Sequence, residues 1–140
     1  MKKYTPLLLL GLAYTLAMVS NAGVFWWGFP PKALQTVVSI VYLLVWLWFL
    51  FSCRNNPGLM RFSAVVGGMG AVGAVFALIV RADLHAFAVL PALLLGGTCL
   101  SPLYGIFGHF SDFDCFYAAA GTLSLALLCT ALLLRKRENR

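Results

Sequence analysis

Charged side chains are scarce in this chain. Ten Lys and Arg and four Asp and Glu amount to 10% of 140 residues, against about 25% in soluble proteins. So few charges cannot clothe a 15.3 kDa globule in water, and a water-soluble fold is excluded. A second absence is more specific. Five mostly apolar stretches cover residues 6–22, 33–53, 62–80, 86–107 and 115–134, and none contains Asp, Glu, Lys, Arg or His. Proton relays and intramembrane active sites depend on ionisable groups held at depth, where such groups are costly and kept for function. Their absence argues against proton-coupled transport and against an enzyme. The four cysteines, Cys53, Cys99, Cys115 and Cys129, form no C-x-x-C pair, which removes the usual zinc and redox motifs. No cofactor is implied. No segment shows the alternating polar and apolar residues of an outer-membrane barrel strand.

What the chain does have is hydrophobic residues, 62% of the total, with a mean hydropathy of +0.93. The five stretches are 17 to 22 residues long, and a helix needs about 20 apolar residues to cross a hydrocarbon core roughly 30 Å thick. Backbone N–H and C=O groups in lipid must be satisfied within the segment, so each stretch is expected to be helical. The fold class predicted is an all-α polytopic membrane bundle forming a single transmembrane domain, with connections too short for a soluble domain. The first stretch also has the outline of a secretory signal: Lys2 and Lys3, an apolar run Leu7–Val19, then the small residues of Ser20-Asn21-Ala22. Val24-Phe25-Trp26-Trp27 prolongs its apolar character, and Trp marks the interface end of a span. A retained first span is therefore expected.

Basic residues concentrate in short cytoplasmic loops, so their placement bears on topology. If all five stretches cross, Lys2, Lys3, Arg54 and Arg61 share one side and the other six basic residues lie opposite. If the fourth stretch enters and leaves by one face, the tail joins those four. Only Lys32 and Arg81 then remain on the far side, an 8:2 partition. The fourth stretch is also the one with helix-breaking residues: Pro91, Gly96, Gly97 and Pro102. Proline removes a backbone donor and Gly-Gly lowers the cost of a bend. Two arrangements stay open: four full spans with a broken or re-entrant fourth segment, or five spans with a kinked fourth. The stronger charge bias of the first places both termini in the cytoplasm, in a plasma (inner) membrane.

Gly68-Met69-Gly70-Ala71-Val72-Gly73 fits the G-x-G-x-x-G pattern, but a dinucleotide site needs a strand before it and an accessible helix start after it. Here the pattern lies inside an apolar span. Ala64 and Gly68, Gly67 and Ala71, and Gly70 and Ala74 are small pairs four residues apart. Such pairs let helix backbones approach closely, so the third span is expected to be a central packing helix or an oligomer seam. His109, Asp112 and Asp114 form the most chemical-looking cluster, a candidate divalent-metal set of oxygen and imidazole ligands, although a solvated loop also accounts for them. Arg81 and Asp83 are placed to pair beside His85. Gln35, Ser39 and Tyr42 share one helical face and are candidates for a polar path, or for interhelical hydrogen bonds. Arg135, Lys136 and Arg137 form a juxtamembrane cluster suited to anionic lipid head groups. The basic residues divide among loop ends and the tail, so nucleic acid is not an expected partner.

The function expected from these features is that of a non-catalytic accessory or regulatory subunit. It would meet other membrane helices, in a homo-oligomer or a larger complex, through the small-residue face of the third span. The alternative is a small oligomeric transporter or channel for uncharged or hydrophobic solutes. A membrane enzyme comes third and rests only on His109, Asp112 and Asp114.

Overall fold

A computed structural model describes residues 4–82, 86–110 and 112–138. Lys2, Lys3, Asp83, His85, Ser111 and Arg140 lie outside them, as do the side chains of Lys136 and Arg137. No strand occurs among the described residues, and five helical stretches are long and apolar enough to cross a membrane. The protein is an all-α membrane bundle.

Local sequence sets the helix ends. Helix α1 (Thr5–Trp27) carries Pro6 in its first turn, where a missing N–H costs nothing. It stops at Gly28, whose φ of 68° is left-handed. There the Gly28 N–H donates to the Phe25 carbonyl and the Phe29 N–H to the Val24 carbonyl, the paired closure of a Schellman turn. Pro30 and Pro31 then favour extended backbone before α2 (Ala33–Ser52). Helix α3 (Pro57–Arg81) opens on Asn56. The Asn56 Oδ1 accepts from the N–H groups of Gly58 and Leu59 at 3.1 and 3.3 Å, satisfying two donors that the helix leaves free. Helix α4 (Phe113–Glu138) is started by Asp112, whose carboxylate accepts from the Asp114 N–H at 3.1 Å.

Packing follows the rule for helices in lipid, with large apolar residues outward and small ones inward. On α1, Leu8, Leu12, Leu16 and Val19 are exposed, while Ala13, Ala17 and Asn21 are buried. Helices α3 and α4 run antiparallel in close contact. A Cβ on Gly67 would stand 3.0 Å from the Leu128 nitrogen and the Ser124 carbonyl oxygen. One on Gly70 would stand 2.7 Å from Ser124 Oγ, and one on Gly121 2.6 Å from the Cβ of Ala74. Ala64, Gly67, Gly70 and Ala74 are buried in this seam, and Gly68 and Ala71 flank it half-buried. The small-residue face expected to meet a partner helix is thus filled from within the chain, and α3 is the central packing helix.

The fourth stretch is wedged between the α1–α2 pair and the α3–α4 pair, which otherwise approach each other sparingly. It is helical but irregular: a 3-10 turn at Ala86–Ala88, an α turn at Val89–Pro91, a loosely wound π-helix at Ala92–Leu100, a second 3-10 turn at Ser101–Leu103 and a final α turn at Tyr104–Phe107. Residues 89–99 descend along α3. Val89 sits by Val80, a Cβ on Gly73 would stand 2.8 Å from the Gly96 nitrogen, and one on Gly70 3.7 Å from the Cβ of Cys99. Gly70 lies roughly 16 Å of helix below Arg81 at 1.5 Å per residue, which is about half the membrane.

The chain then bends. Tyr104 Oη donates to the Phe29 carbonyl at 3.0 Å, and the Tyr104 ring stacks on Phe113 at 6.1 Å. Gly105 lies against the Gln35 carbonyl so tightly that a Cβ would overlap it. His109 Nε2 meets Thr36 Oγ1 at 2.9 Å. These partners are the end of α1 and the starts of α2 and α4, the same face as Arg81, which bonds to Asp114. Although Val89–Phe107 is long enough to cross, it begins and ends on one face. Of the two arrangements left open by the sequence, the re-entrant one is found.

The break is not where Gly96 and Gly97 suggested. Both sit inside the π-helix, where the missing side chain of Gly97 admits the Trp26 ring, while Gly96 lies against Gly73 of α3, whose own missing side chain allows the approach. A Cβ on Gly97 would stand 2.7 Å from Trp26 Cζ2. Pro91 joins the α turn to the π-helix, and the reversal comes at Ser101–Leu103, around the buried Pro102.

This packing predicts an asymmetry between adjacent glycines. Gly67→Leu should destabilise the purified protein by about 1–3 kcal/mol or more through overpacking, whereas Gly68→Leu, whose Cβ meets only a Leu128 methyl at 4.0 Å, should be tolerated. Thermal unfolding in detergent reads both; equal effects would contradict the seam.

Candidate functional site

Three places carry polar or cavity-forming groups, and they differ in what they can do. The first is the face where the fourth segment enters and leaves. Arg81 at the end of α3 contacts both aspartates of the D-x-D pair: Nη2 lies 3.4 Å from Asp112 Oδ1 and Nε bonds to Asp114 Oδ1. The guanidinium also sits over the Phe113 ring, 5.6 Å from its centroid. The Arg81 and Asp112 side chains are 40 and 52% exposed, so the ion pair is screened and worth at most about 1 kcal/mol. His109 turns to Thr36 on α2 instead of toward the carboxylates. His109, Asp112 and Asp114 therefore do not converge. Among the described residues, no group of three His, Cys, Asp or Glu is placed to hold a metal. The aspartates serve as a helix start and as partners of Arg81. The sequence had offered Arg81 a closer carboxylate, Asp83, which lies outside the described residues.

The second is the face of α2 read as a polar path. Gln35 Oε1 accepts from the Lys32 N–H at 2.5 Å, and its Nε2 donates to the Ser20 carbonyl at 3.3 Å. Ser39 Oγ accepts from Asn21 Nδ2 at 3.0 Å, and the same amide donates to the Ala17 carbonyl. Both Asn21 and Ser39 are fully buried. Gln35 and Ser39 thus tie α2 to α1. Asn21 Oδ1 and Ser101 Oγ, buried nearby in the core, have no hydrogen-bond partner among the described residues.

Tyr42 belongs to the third place. Because the fourth segment fills only one half of the bundle, a cavity of about 380 Å³ lies below its tip. Leu7, Leu10, Gly11 and Tyr14 of α1 form one wall; Tyr42 and Trp46 of α2 the back; Phe62, Val66 and Met69 of α3 the other wall. Thr98 and Cys99 form the roof. At the back, Trp46 Nε1 donates to Ser63 Oγ at 3.0 Å, joining α2 to α3. Tyr42 is 1% exposed, its ring edge-on to Trp46 at 5.4 Å and tilted to Tyr14 at 6.2 Å.

Proline chemistry shapes the roof. The α-helical donor for the Thr98 carbonyl would be the N–H of residue 102, which is proline and has none. Tyr14 Oη supplies the bond from α1, at 2.9 Å. Thr98 Oγ1 turns back to the Leu94 carbonyl at 2.5 Å. The resulting site is an apolar, aromatic-walled chamber with hydroxyls near its inner end and no charged side chain in its lining. It can hold an uncharged molecule by burial, and its protic groups are the Tyr14, Tyr42 and Thr98 hydroxyls and the Cys99 thiol.

Tyr14 and Thr98 are visible in the sequence only as polar residues within spans. Nothing in their spacing announces that they meet, since the contact depends on the fourth segment turning back at midplane. The chain matches no protein-family model, no curated protein and no solved structure.

Two substitutions separate structural from incidental polar contacts. Ser39→Ala should cost about 0.6–1.7 kcal/mol, the range for an interhelical hydrogen bond in a membrane protein. Asp114→Asn should cost at most about 1 kcal/mol, and that loss should shrink in high salt. Denaturation by graded sodium dodecyl sulfate measures both. A larger loss for Asp114→Asn that persists in salt would contradict the structural reading of the face.

Proposed function

We propose that this chain is a non-catalytic plasma-membrane protein that takes up an uncharged, hydrophobic solute, acting in binding or transport. The observation that carries the reading is the chamber beneath the re-entrant tip, about 380 Å³ in volume and within the range of small-molecule sites, roughly 300–1,000 Å³. A re-entrant segment ending at midplane is backbone of the kind that lines substrate sites in membrane proteins. The lack of Asp, Glu, Lys, Arg and His in the chamber lining suits a neutral solute and not a proton or an ion. The competing reading, an accessory subunit that docks through the third span, loses its contact surface, because Gly67, Gly70 and Ala74 are used against α4.

Charge placement supports the orientation. Helix α1 starts, and α4 ends, at the face that holds Arg54, Arg61 and Arg135, while Lys32 and Arg81 are at the other. By the positive-inside rule the first face is cytoplasmic, and both termini with it. Arg135, followed by Lys136 and Arg137, would then meet anionic head groups of the inner leaflet.

The purified chain, reconstituted in nanodiscs without any second protein, should retain the apolar fluorophore N-phenylnaphthylamine saturably. Absence of saturable retention, together with co-purification of the native chain with another membrane protein at fixed stoichiometry, would overturn this reading in favour of the accessory one.

A further inference from the structure

The chamber has a mouth, and its position says how a ligand arrives. Gly11 on α1 and Phe62 and Met69 on α3 line the chamber and are also exposed on the outside of the bundle. Gly11 is about 9 Å of helix from the start of α1, and Met69 about 18 Å from the start of α3, at 1.5 Å per residue. The opening between these helices therefore spans the depth of one leaflet's hydrocarbon and faces lipid. A Cβ on Gly11 would meet nothing within 4 Å, so the glycine leaves the gap wide.

The inner end carries a different kind of information. Tyr42 lines the chamber yet is almost wholly shielded by protein. Its neighbour Tyr14 spends its proton on the Thr98 carbonyl, and the Tyr42 hydroxyl has no hydrogen-bond partner among the described residues. Buried hydroxyls are nearly always paired, and lipid supplies no partner. A donor held at the end of an apolar chamber selects for a molecule that brings an acceptor there.

We infer that the chamber binds an uncharged amphiphile, an apolar chain with one oxygen function such as a hydroxyl or carbonyl. It enters from the bilayer between α1 and α3 and places its oxygen against the Tyr42 hydroxyl. This rests on the solute-binding reading above and names its ligand class, its route and its selecting residue. A plain hydrocarbon fills the chamber but leaves the hydroxyl unpaired, so it binds more weakly. A charged head group is excluded, since no counter-charge lines the inner end.

The test uses Trp46, which lines the chamber and is buried. In the full chain with Trp26, Trp27 and Trp48 replaced by Phe, reconstituted in nanodiscs, a brominated long-chain alcohol should quench Trp46 saturably. The matching brominated alkane should need about three- to tenfold higher concentration, the value of one hydrogen bond. Tyr42→Phe keeps the ring and should bring the alcohol to the level of the alkane. Gly11→Phe, which folds freely into open space, should abolish saturable quenching by closing the mouth.

Quenching that rises linearly with probe, or that ignores both substitutions, would overturn the inference. If the naphthylamine probe is retained while Trp46 stays unquenched, the ligand sits elsewhere and only this inference falls. Loss of both signals in the folded protein removes the solute-binding reading as well.

Discussion

Backbone polar groups at membrane depth must be enclosed by protein or water, because lipid offers them no partner. The rest of this structure depends on how the fourth segment meets that requirement while turning back halfway. Its reversal is buried: Leu100, Ser101 and Leu103 are shielded from the surroundings. The Thr98 carbonyl that Pro102 deprives of an α-helical donor is bonded by Tyr14 Oη. Enclosure needs close walls, and the glycines of α3 provide one. Gly73 meets the Gly96 backbone without a side chain between them, and Gly67 does the same for α4. The other wall is the α1–α2 pair, held together by Asn21 and Ser39.

The same constraint produces the chamber. A segment that descends to midplane and returns fills the bundle on one side and leaves the helix pairs apart on the other. The separation is bridged at depth by Trp46 and Ser63, and the space between is walled by apolar and aromatic side chains. The proposed solute binding and the absence of charged side chains are thus linked: a chamber that opens onto hydrocarbon has no means of hydrating a charge, and no charged side chain lines it.

Much of this was legible in the sequence, for a physical reason in each case. Helical spans follow from apolar length, but the stretches read as 6–22 and 62–80 run on to Thr5–Trp27 and Pro57–Arg81, because the local chemistry of Gly28 and Asn56, not the end of the apolar run, closes each helix. The anomaly of the fourth stretch was visible twice, in its prolines and glycines and in the placement of Lys32 and Arg81. Its turning point was not. Gly96 and Gly97 read as flexible, yet here the small size of Gly97 makes room for Trp26 and Gly96 packs on Gly73, and only those neighbours reveal the difference. The α3 small-residue face was readable as a packing surface but not as to what packs on it. The chamber was the least legible feature, because Leu7, Tyr42, Met69 and Thr98 come from four separate segments. Pairings such as Arg81 with Asp112 and Asp114 depend likewise on α3 and α4 running side by side.

The claim on which all of this stands is that the fourth segment enters and leaves by one face. Sidedness labelling with a membrane-impermeant thiol reagent tests it directly, using single cysteines at Lys32, Asn55, His109 and Arg135 in a chain whose four native cysteines are serine. Lys32→Cys and His109→Cys should label from one side of the membrane, and Asn55→Cys and Arg135→Cys from the other. Labelling of Arg135→Cys from the same side as Lys32→Cys would mean that the segment crosses, and would contradict the account.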